Sequence, residues 1–519
     1  MKMSLFKKAV LTMACLTLFT IGARASATAV YIAQNAAGAA NGADCADAKP
    51  VSFFNNAANW GNGLGQIGPG TTVHFCGTFT GGPNSNMVTV QGSGTSGNPI
   101  TLLLEPGALF TAPYWSATGG AIGCNGFNYI TLDGGGSSLI QNTANGTGLT
   151  YQQDSAGVDF EACDHGEVRG LNIQNIYVHT GTGSVEGGHG ILYQYIPTTA
   201  SIHGNTVVYA ENAIDVNYQN GASSISIYNN TTDYHKWGIA IGSTSSSCSA
   251  SGINVYGNSV GPHFDAMLDS AQTFHGDGII IISTAPGTMS YSNFYNNYIH
   301  GDMSASFQFN STGYLFLTGI FNHVNIFNNV IGQDILNPGA GGPEGLIRIG
   351  GTNDVANEFT NGLIANNTFY GPGPAAIKYD GDNFTSENNI FYNVGSAYLD
   401  NLAGPMAITS KNNDFYGFSY LASYLGGVYY NTFAAWQAVG FDVGVNGSNG
   451  NPLLSSSYVP QSGSAAIGLG ANLSNLGLTA LNSDKAGTPR PASGPWAAGA
   501  YQFGAAGPTP PSGLIATVQ

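Results

Sequence analysis

The chain has 519 residues, of which 12 are Lys or Arg and 28 are Asp or Glu, so its formal net charge at pH 7 is −16. This acidity excludes a nucleic-acid partner, because phosphates are bound by basic surfaces. Charged residues make up only 8% of the chain, against roughly 25% in ordinary domains. The surface is therefore expected to consist of Asn, Ser, Thr, Gly and Tyr. These groups suit sugars better than charged ligands, although exported repeat proteins of any function share this composition.

Residues 1–27 have the features of a signal peptide. Lysines precede the apolar run of residues 9–21, and Ala25 and Ala27 each end an A-x-A cleavage motif. The apolar run is too short for a membrane span, and no later stretch reaches 18 apolar residues. Cleavage near residues 25–27 leaves 8 basic against 28 acidic residues, a net charge of −20. We expect a monomeric protein of bacterial type, secreted or periplasmic, without a membrane span.

One phrase recurs from residue 200 onward: an alternating apolar strand, an aromatic or polar residue, then Gly-Asn or Asn-Asn. The copies are 22 to 39 residues apart, which fits one coil of three short strands with loops inserted into the longer coils. Coils that stack about 4.8 Å apart align equivalent residues in columns, so the asparagines can form a hydrogen-bonded ladder. The pattern predicts an all-β fold, a right-handed three-sheet parallel β-helix. The ladder positions are Asn205, Asn230, Asn258, Asn297, Asn329, Asn367, Asn389 and Asn413.

The repeat also predicts how the chain is divided. A signal peptide (1–27) precedes an N-terminal cap with the first coils (28–120), the parallel β-helix (121–430), C-terminal coils with a cap (431–504) and a linker-like tail (505–519). Short amphipathic helices are expected within residues 51–60 and 432–438, because the ends of a solenoid must be covered.

Five cysteines remain after signal cleavage, and an odd count leaves at least one thiol unpaired. Cys124 and Cys163 occupy matching places in successive coils, so we expect them to stack and form a disulfide. Cys45 and Cys76 would pair in the N-terminal cap, which leaves Cys248 free.

Three segments resemble the bacterial pectin-lyase-like superfamily of right-handed β-helix proteins. They are residues 67–77 with 94–102, the Asn-Asn repeat, and a closing stretch that includes residues 451–454, 461–467, 489–491 and 499–501. The resemblance covers roughly residues 28–504. It implies the fold, but it does not imply one activity, because this scaffold carries lyases, hydrolases, epimerases and adhesins.

In this superfamily substrates usually lie across the strand that precedes the Asn-bearing one. In this chain the inward residues of that strand are expected to be Ile191, Ile214, Ile239, Ile279, Ile347 and Ile377. The next residues would face outward: Leu192, Asp215, Ala240, Ile280, Arg348 and Lys378. Polar residues would line one edge: His189, Glu211, His235, Lys236, His275 and Asp277.

Two chemistries fit these residues. A lyase needs a base to remove the proton α to a uronate carboxyl, and a cation or Ca²⁺ to neutralise that carboxyl. Arg348 and Lys378, with His235 or His275, could act in this way. A hydrolase needs two carboxyl groups, for which Asp215 and Asp277 are the predicted pair.

Polygalacturonases share the fold, but they carry an adjacent Asp-Asp pair that this chain lacks, and here Gly188-His189-Gly190 precedes the 275–278 segment. Substrate contacts are expected from His189, Lys236 and Trp237. The sequence thus predicts a secreted carbohydrate-active protein whose partner is a polysaccharide, with lyase and hydrolase not separated. The alternative is a non-catalytic surface or carbohydrate-binding protein. No cofactor is certain, and Ca²⁺ is the candidate.

Overall fold

The computed structural model describes residues 28–504 except 147, 178–186, 263–275, 302–312, 334–344, 351–357, 373–374, 403–405 and 425–426. The predicted signal peptide, the predicted tail and His275 lie outside the described residues. None of the described helices is long and apolar enough to cross a membrane.

The strands stack in three columns of parallel pairs, which we name A, B and C in the order in which each coil visits them. Column A contains Ala29–Ala33, Thr72–Phe75, Ile100–Leu104, Ile130–Asp133, Gly166–Arg169, Ala200–His203, Ile225–Tyr228, Asn254–Tyr256, Asn293–Tyr295, Asn325–Phe327, Phe359–Ala365, Asn383–Glu387 and Thr409–Lys411. Column B contains Thr78–Thr80, Leu109–Ala112, Leu139–Asn142, Asn172–Ile176, the first halves of Thr206–Tyr218 and Thr231–Ser243, then Ser259–Val260, Tyr298–Ile299, Val330–Gly332, Thr368–Tyr370, Ile390–Tyr392, Asn413–Tyr416 and Gly447–Ser448.

Column C carries the candidate site. It contains Val88–Thr89, Ile122–Gly123, Ser155–Asp159, Gly188–Ile196, the second halves of Thr206–Tyr218 and Thr231–Ser243, Asp277–Ser290, Gly313–Asn322, Gly345–Ile349, Ala375–Tyr379, Ser396–Asp400 and Ala422–Tyr424. Four short strands complete the set: Lys49–Pro50, Ala222–Ser223, Ala250–Ser251 and Val428–Tyr430. The last is antiparallel to Ala422–Tyr424.

The parallel β-helix predicted from the repeat is confirmed. Strands such as Thr206–Tyr218 continue around the corner from column B into column C, so hydrogen bonding joins 38 of the described strands into one continuous sheet. A division into three separate sheets, and the right-handed sense of the helix, therefore stay predictions.

The interior is filled by residues at equivalent strand positions of successive coils, and each coil contributes several of them. In column C the register aligns Ile191, Ile214, Ile239 and Ile279, then Leu315, before it reaches the later isoleucines. All of these side chains are at most 1% exposed. Inward-facing alternation along each strand thus builds one hydrophobic core along the axis.

The asparagine ladder runs unbroken from Asn205 to Asn413. Each side-chain amide donates to the carbonyl oxygen of the next ladder side chain at 2.9–3.1 Å. The carbonyl oxygen of each ladder side chain also accepts the backbone N–H of the ladder asparagine one coil earlier. Each side-chain amide also donates to a backbone carbonyl of the previous coil. Because the buried amide and carbonyl groups of the ladder side chains are all hydrogen-bonded, the ladder stabilises the turn in each coil. The last amide, of Asn413, donates to Asp442 Oδ1 at 3.2 Å.

The residue before each ladder asparagine has a left-handed backbone, with φ of +64° at Gly204 and +52° at Asn366. Glycine and asparagine tolerate this conformation best, which explains the Gly-Asn and Asn-Asn pairs. From Asn328 onward these asparagines also hold the C-terminal segment. Asn366 donates to Ala497 and Asn388 to Ala471.

Both ends of the helix carry short helical caps. Val51–Phe54 is α-helical and is followed by the 3₁₀ turn Ala57–Asn59, while Phe433–Ala438 is α-helical near the other end. Further 3₁₀ turns span Cys45–Asp47, Ser474–Leu476 and Thr479–Asn482.

The structure has the two expected disulfides. Cys45 is joined to Cys76 with a Cα–Cα distance of 5.6 Å, and Cys124 to Cys163 with 6.3 Å. Cys248 has no disulfide partner among the described residues.

Candidate functional site

The outer face of column C carries two rows of side chains that run along the helix axis. We name the first the aspartate row and the second the histidine row. The aspartate row contains Asp159, Leu192, Asp215, Ala240, Ile280, Phe316, Arg348 and Lys378. The histidine row contains Ala156, His189, Asn212, Trp237 and Asp277.

Asp159 and Asp215 are aligned in the aspartate row with Leu192 between them. Two coil steps of about 4.8 Å separate them, so their backbones lie roughly 10 Å apart. Asp159 was not among the residues expected from the sequence. It lies in a coil that precedes the recurring Asn-Asn phrase, and only the strand register aligns it with Asp215.

His189 lies on the intervening strand, between the two carboxylates. Its Nδ1 atom is 3.1 Å from Asp215 Oδ2, and the two side chains are 19% and 15% exposed. Burial lowers the pKa of His189, but the contact with Asp215 and the negative charges of Asp215, Glu211 and Asp154 outweigh it and raise the pKa above its usual value. The imidazole is therefore held as a cation over a wider pH range than a free histidine.

Asp159 is 2% exposed, and its Oδ2 accepts the backbone N–H of Gly119 at 2.7 Å. Burial raises its pKa, and the negative charge of Glu161 adds to this effect, while the Gly119 hydrogen bond and the His189 charge oppose it. Its Oδ1 atom is buried and has no hydrogen-bond partner among the described residues. A carboxyl group in this environment keeps its proton to higher pH than usual.

Asn212 lies beside His189 in the histidine row, and sequence reasoning missed it as well. Its side chain is 2% exposed, and within the described part of the chain its Oδ1 atom has no hydrogen-bond partner. Asp159 and Asn212 thus each place a buried side-chain oxygen, without a hydrogen-bond partner among the described residues, in neighbouring rows of this face.

Asp277 does not lie opposite Asp215. It is aligned with Trp237, which is aligned with Asn212, three residues before Asp215. The offset along the strand adds to the two coil steps, so the two backbones are roughly 12–14 Å apart rather than the expected 10 Å. Asp277 is also fully buried. The expected Asp215–Asp277 pair is therefore too widely spaced to act across one bond or to share one ion.

His235 does not lie on the outer face. It is fully buried and aligned with the core residue Ala210. A methyl group at Gly238 would lie 2.9 Å from His235 Cε1 and 2.5 Å from the core residue Val260, so the imidazole ring is directed into the interior. The strand Thr231–Ser243 bends from column B into column C at this point. The inward–outward alternation of side chains expected from the sequence therefore changes there.

Lys236 is fully buried at the same corner. Its Nζ atom lies 3.8 Å from Glu211 Oε1 and 4.5 Å from the centroid of the Trp237 ring. Glu211 also accepts the backbone N–H of Gly187 at 3.3 Å. This buried ion pair fixes the edge of the face, and only Trp237 of the three is partly exposed.

Arg348 and Lys378 are neighbours in the aspartate row, as expected. The apolar residues Ala240, Ile280 and Phe316 separate them from Asp215, so Arg348 lies about 19 Å from it along the axis. Arg348 is 1% exposed, and its NH2 donates to Asp380 at 2.9 Å. Nearby, burial raises the pKa of Asp382 to about 7.

A cavity of about 420 Å³ adjoins the carboxylate site, lined by Asn84, Tyr114, Ala117, Gln152, Gln153 and Asp154. Ala117 lies two residues before Gly119, which donates to Asp159. Asp154 directly precedes the strand Ser155–Asp159, and its charge acts on His189. The cavity and Asp159 are thus connected through two backbone segments, whereas Asp215 lies on Thr206–Tyr218, which does not line the cavity. The described residues contain no group of three His, Cys, Asp or Glu side chains that could hold a metal ion.

No protein-family model and no curated protein matches the sequence. Among solved structures, the chain is similar to the pectate lyase Pel9A, with 14% identity, a TM-score of 0.45, and coverage of 92% of this chain and 96% of that one. An alginate lyase from Paenibacillus sp. str. FPU-7 has 16% identity and a TM-score of 0.36 over 69% of this chain and 94% of that one. The GH136 lacto-N-biosidase from Eubacterium ramulus has 14% identity and a TM-score of 0.40 over 75% and 64%.

Proposed function

We propose that this protein hydrolyses glycosidic bonds of a polysaccharide on the outer face of column C, with Asp159 as general acid and Asp215 as general base. The alignment of these two carboxylates two coil steps apart carries the proposal. Side chains that lean toward each other across roughly 10 Å bring the carboxyl groups into the ~6.5–9.5 Å range of inverting hydrolases. Leu192 forms an apolar floor between them.

The environments of the two carboxyl groups suit different roles. Because its pKa is raised, the Asp159 carboxyl group keeps its proton. It donates this proton to the glycosidic oxygen as the bond to the anomeric carbon breaks. Asp215 accepts a proton from the water that attacks the opposite face of that carbon. The His189 cation holds Asp215 in position through the 3.1 Å contact. The product is a reducing end with inverted anomeric configuration.

A second candidate is β-elimination at Arg348 and Lys378. Two cations on neighbouring coils could neutralise a uronate carboxyl and remove the adjacent proton, with Ca²⁺ as the candidate ion. The ion pair of Arg348 with Asp380 already neutralises one of these charges, which makes this candidate weaker.

The proposed location is outside the cytoplasm, where the predicted signal peptide would deliver a monomer to its polymer. N-terminal sequencing of the mature protein tests this part, with a start near residues 26–28 expected.

The activity test is a polysaccharide panel with two readouts, reducing ends by colorimetry and unsaturated product by ultraviolet absorbance. We expect reducing ends without absorbance, and an inverted anomer by NMR on the product. Asp159→Asn and Asp215→Asn should each lower kcat by at least about 10²-fold. Asp277→Asn is the matched control and should retain activity.

If the wild type forms product that absorbs in the ultraviolet and Arg348→Ala does not, the reaction is β-elimination and the proposed hydrolysis is wrong. Retention on one glycan without any product would indicate a binding protein.

A further inference from the structure

The cavity beside Asp159 offers neutral groups to a ligand. Among the described residues, the Asn84 amide and the Tyr114 hydroxyl have no hydrogen-bond partner, although both side chains line the cavity. The Tyr114 ring is fixed against Tyr151, with ring centroids 5.1 Å apart. An amide and a hydroxyl both donate and accept hydrogen bonds, as sugar hydroxyl groups do, and an aromatic ring offers an apolar surface to a sugar ring.

The charges around the cavity are predominantly negative. The carboxylates of Asp154, Glu161 and Glu211 act on His189 or Asp159. Of the cations nearby, His189 is in contact with Asp215 and Lys236 with Glu211. Arg348 is about 19 Å away along the axis. Among the described residues no further cation offsets these charges, so a chain of uronate residues would meet repulsion here.

We infer that this cavity is a subsite for an uncharged sugar residue, and that the substrate is therefore a neutral polysaccharide rather than a polyuronate. The inference rests on the proposed function, which places the scissile bond between Asp159 and Asp215. One sugar of the chain occupies the cavity, contacts Tyr114 and Asn84, and places the next bond beside Asp159.

The position of Asp154 supports the exclusion of anions. A methyl group placed at Gly187 would overlap the Asp154 carboxylate, so the glycine lets this charge lie directly against the strand that carries His189. The carboxylate is exposed at the cavity wall and adds negative charge where an anionic ligand would enter.

The test measures binding separately from cleavage. Full-length Asp159→Asn protein is titrated by calorimetry with neutral glucan, xylan and galactan oligosaccharides, and with oligogalacturonate and oligoalginate. The best neutral ligand is then compared with its carboxymethylated derivative. We expect neutral binding that does not change between about 50 and about 500 mM salt, a range that shortens the Debye length roughly threefold. Binding of the carboxymethylated form should be at least about tenfold weaker.

Tyr114→Ala and Asn84→Ala, each made in the Asp159→Asn protein, should weaken neutral binding by about tenfold or more. Tyr429→Ala is the matched control, because Tyr429 is an exposed aromatic side chain on the Val428–Tyr430 strand, outside the cavity lining. Circular dichroism checks the fold of each variant.

Tightest binding to a uronate oligosaccharide, or neutral binding that Tyr114→Ala leaves unchanged, overturns the inference. The proposed function fails separately. If the wild type cleaves no neutral polysaccharide while Tyr114→Ala still abolishes binding, the subsite stands and hydrolysis does not.

Discussion

The backbone N–H of Cys124 donates a hydrogen bond of 3.0 Å to the carbonyl oxygen of Asp159. Cys124 is also joined by a disulfide to Cys163, four residues after Asp159. The strand that carries the proposed acid is therefore held to the preceding coil by a covalent bond and a hydrogen bond only four residues apart. These two contacts restrain the backbone at Asp159 and just after it.

The first prediction compares the two disulfides. Loss of either, in Cys124→Ala/Cys163→Ala or in Cys45→Ala/Cys76→Ala, should lower the free energy of unfolding by about 2–5 kcal/mol. Only the Cys124→Ala/Cys163→Ala variant should also have a lower kcat, by about tenfold or more, because Asp159 would shift relative to Asp215. Denaturant titration and initial rates measure the two effects. Equal losses of kcat in both double variants would contradict the role of the Cys124–Cys163 bond in positioning Asp159.

The second prediction concerns the pH dependence of catalysis. The alkaline limb of kcat/KM reports the pKa of Asp159, and the charge of His189 lowers that pKa. In His189→Gln this charge is absent, so the pKa of Asp159 should rise and the alkaline limb should move to higher pH. A purely structural role for His189 would scale the rate at all pH values and leave the limb in place, which is the contrary result.

The third prediction compares two asparagines of the same coil, one buried and one partly exposed. Asn297 belongs to the buried ladder, and Asn297→Ala would leave the Asn258 amide, the Asn258 backbone N–H and the Val255 carbonyl without their partner. At ~1–3 kcal/mol for each of the three orphaned groups, the free energy of unfolding should fall by about 3–9 kcal/mol. Chemical denaturation monitored by fluorescence measures this change.

The matched control for this prediction is Asn293→Ala. Asn293 bonds to Asn254 in a similar ladder, but its side chain is partly exposed, so water can replace the lost partner. The cost there should be below about 1 kcal/mol. Similar costs at the two positions would show that burial does not decide the strength of the ladder.

The fourth prediction concerns stability and pH. Burial raises the pKa of Asp414 to about 7, and the nearby Ser448 hydroxyl and Phe415 N–H oppose the rise only in part. Between about pH 4 and pH 7 the folded protein binds a proton at Asp414 that the unfolded chain does not. The free energy of unfolding should therefore fall as pH rises through this range.

In Asp414→Asn the side chain is neutral at every pH, so the fall should be smaller and the variant should be the more stable protein at pH 8. Asp382, with a pKa of about 7, and Asp442, with about 6, keep part of the slope. Thermal unfolding followed at pH 4, 6 and 8 tests this. Parallel curves for wild type and variant would mean that Asp414 is ionised in the folded protein at neutral pH.

The sequence predicted the fold because the fold depends on a pattern that repeats in every coil. The ladder asparagines and the inward isoleucines occupy equivalent positions in each coil, so spacing alone aligns them. The site depends instead on single residues in different coils. Asp159 could not be identified, because its coil lacks the Asn-Asn phrase that fixes the register of later coils.

The corner between columns B and C explains the remaining errors. The strands Thr206–Tyr218 and Thr231–Ser243 turn from column B into column C there, so the inside–outside alternation of a straight strand does not hold. For this reason His235 is buried in the interior although Lys236 and Trp237 follow it directly. Asp277 precedes its inward isoleucine by two residues, whereas Asp215 follows Ile214, and this difference sets the two carboxylates apart along the strand.

The asparagine ladder has a direction, because in every bond between two ladder side chains the donor belongs to the residue nearer the N-terminus. Its first oxygen, of Asn205, accepts the backbone N–H of Leu171, and its last donor meets the Asp442 carboxylate. A carboxylate accepts hydrogen bonds but has no N–H to pass on, so Asp442 ends the chain of donors. A further coil, or a second molecule stacked on this end, would find no amide with which to continue the series. Growth or loss of coils in related proteins is therefore expected between Asn205 and Asn413, where each asparagine can replace its neighbour, and not beyond Asp442.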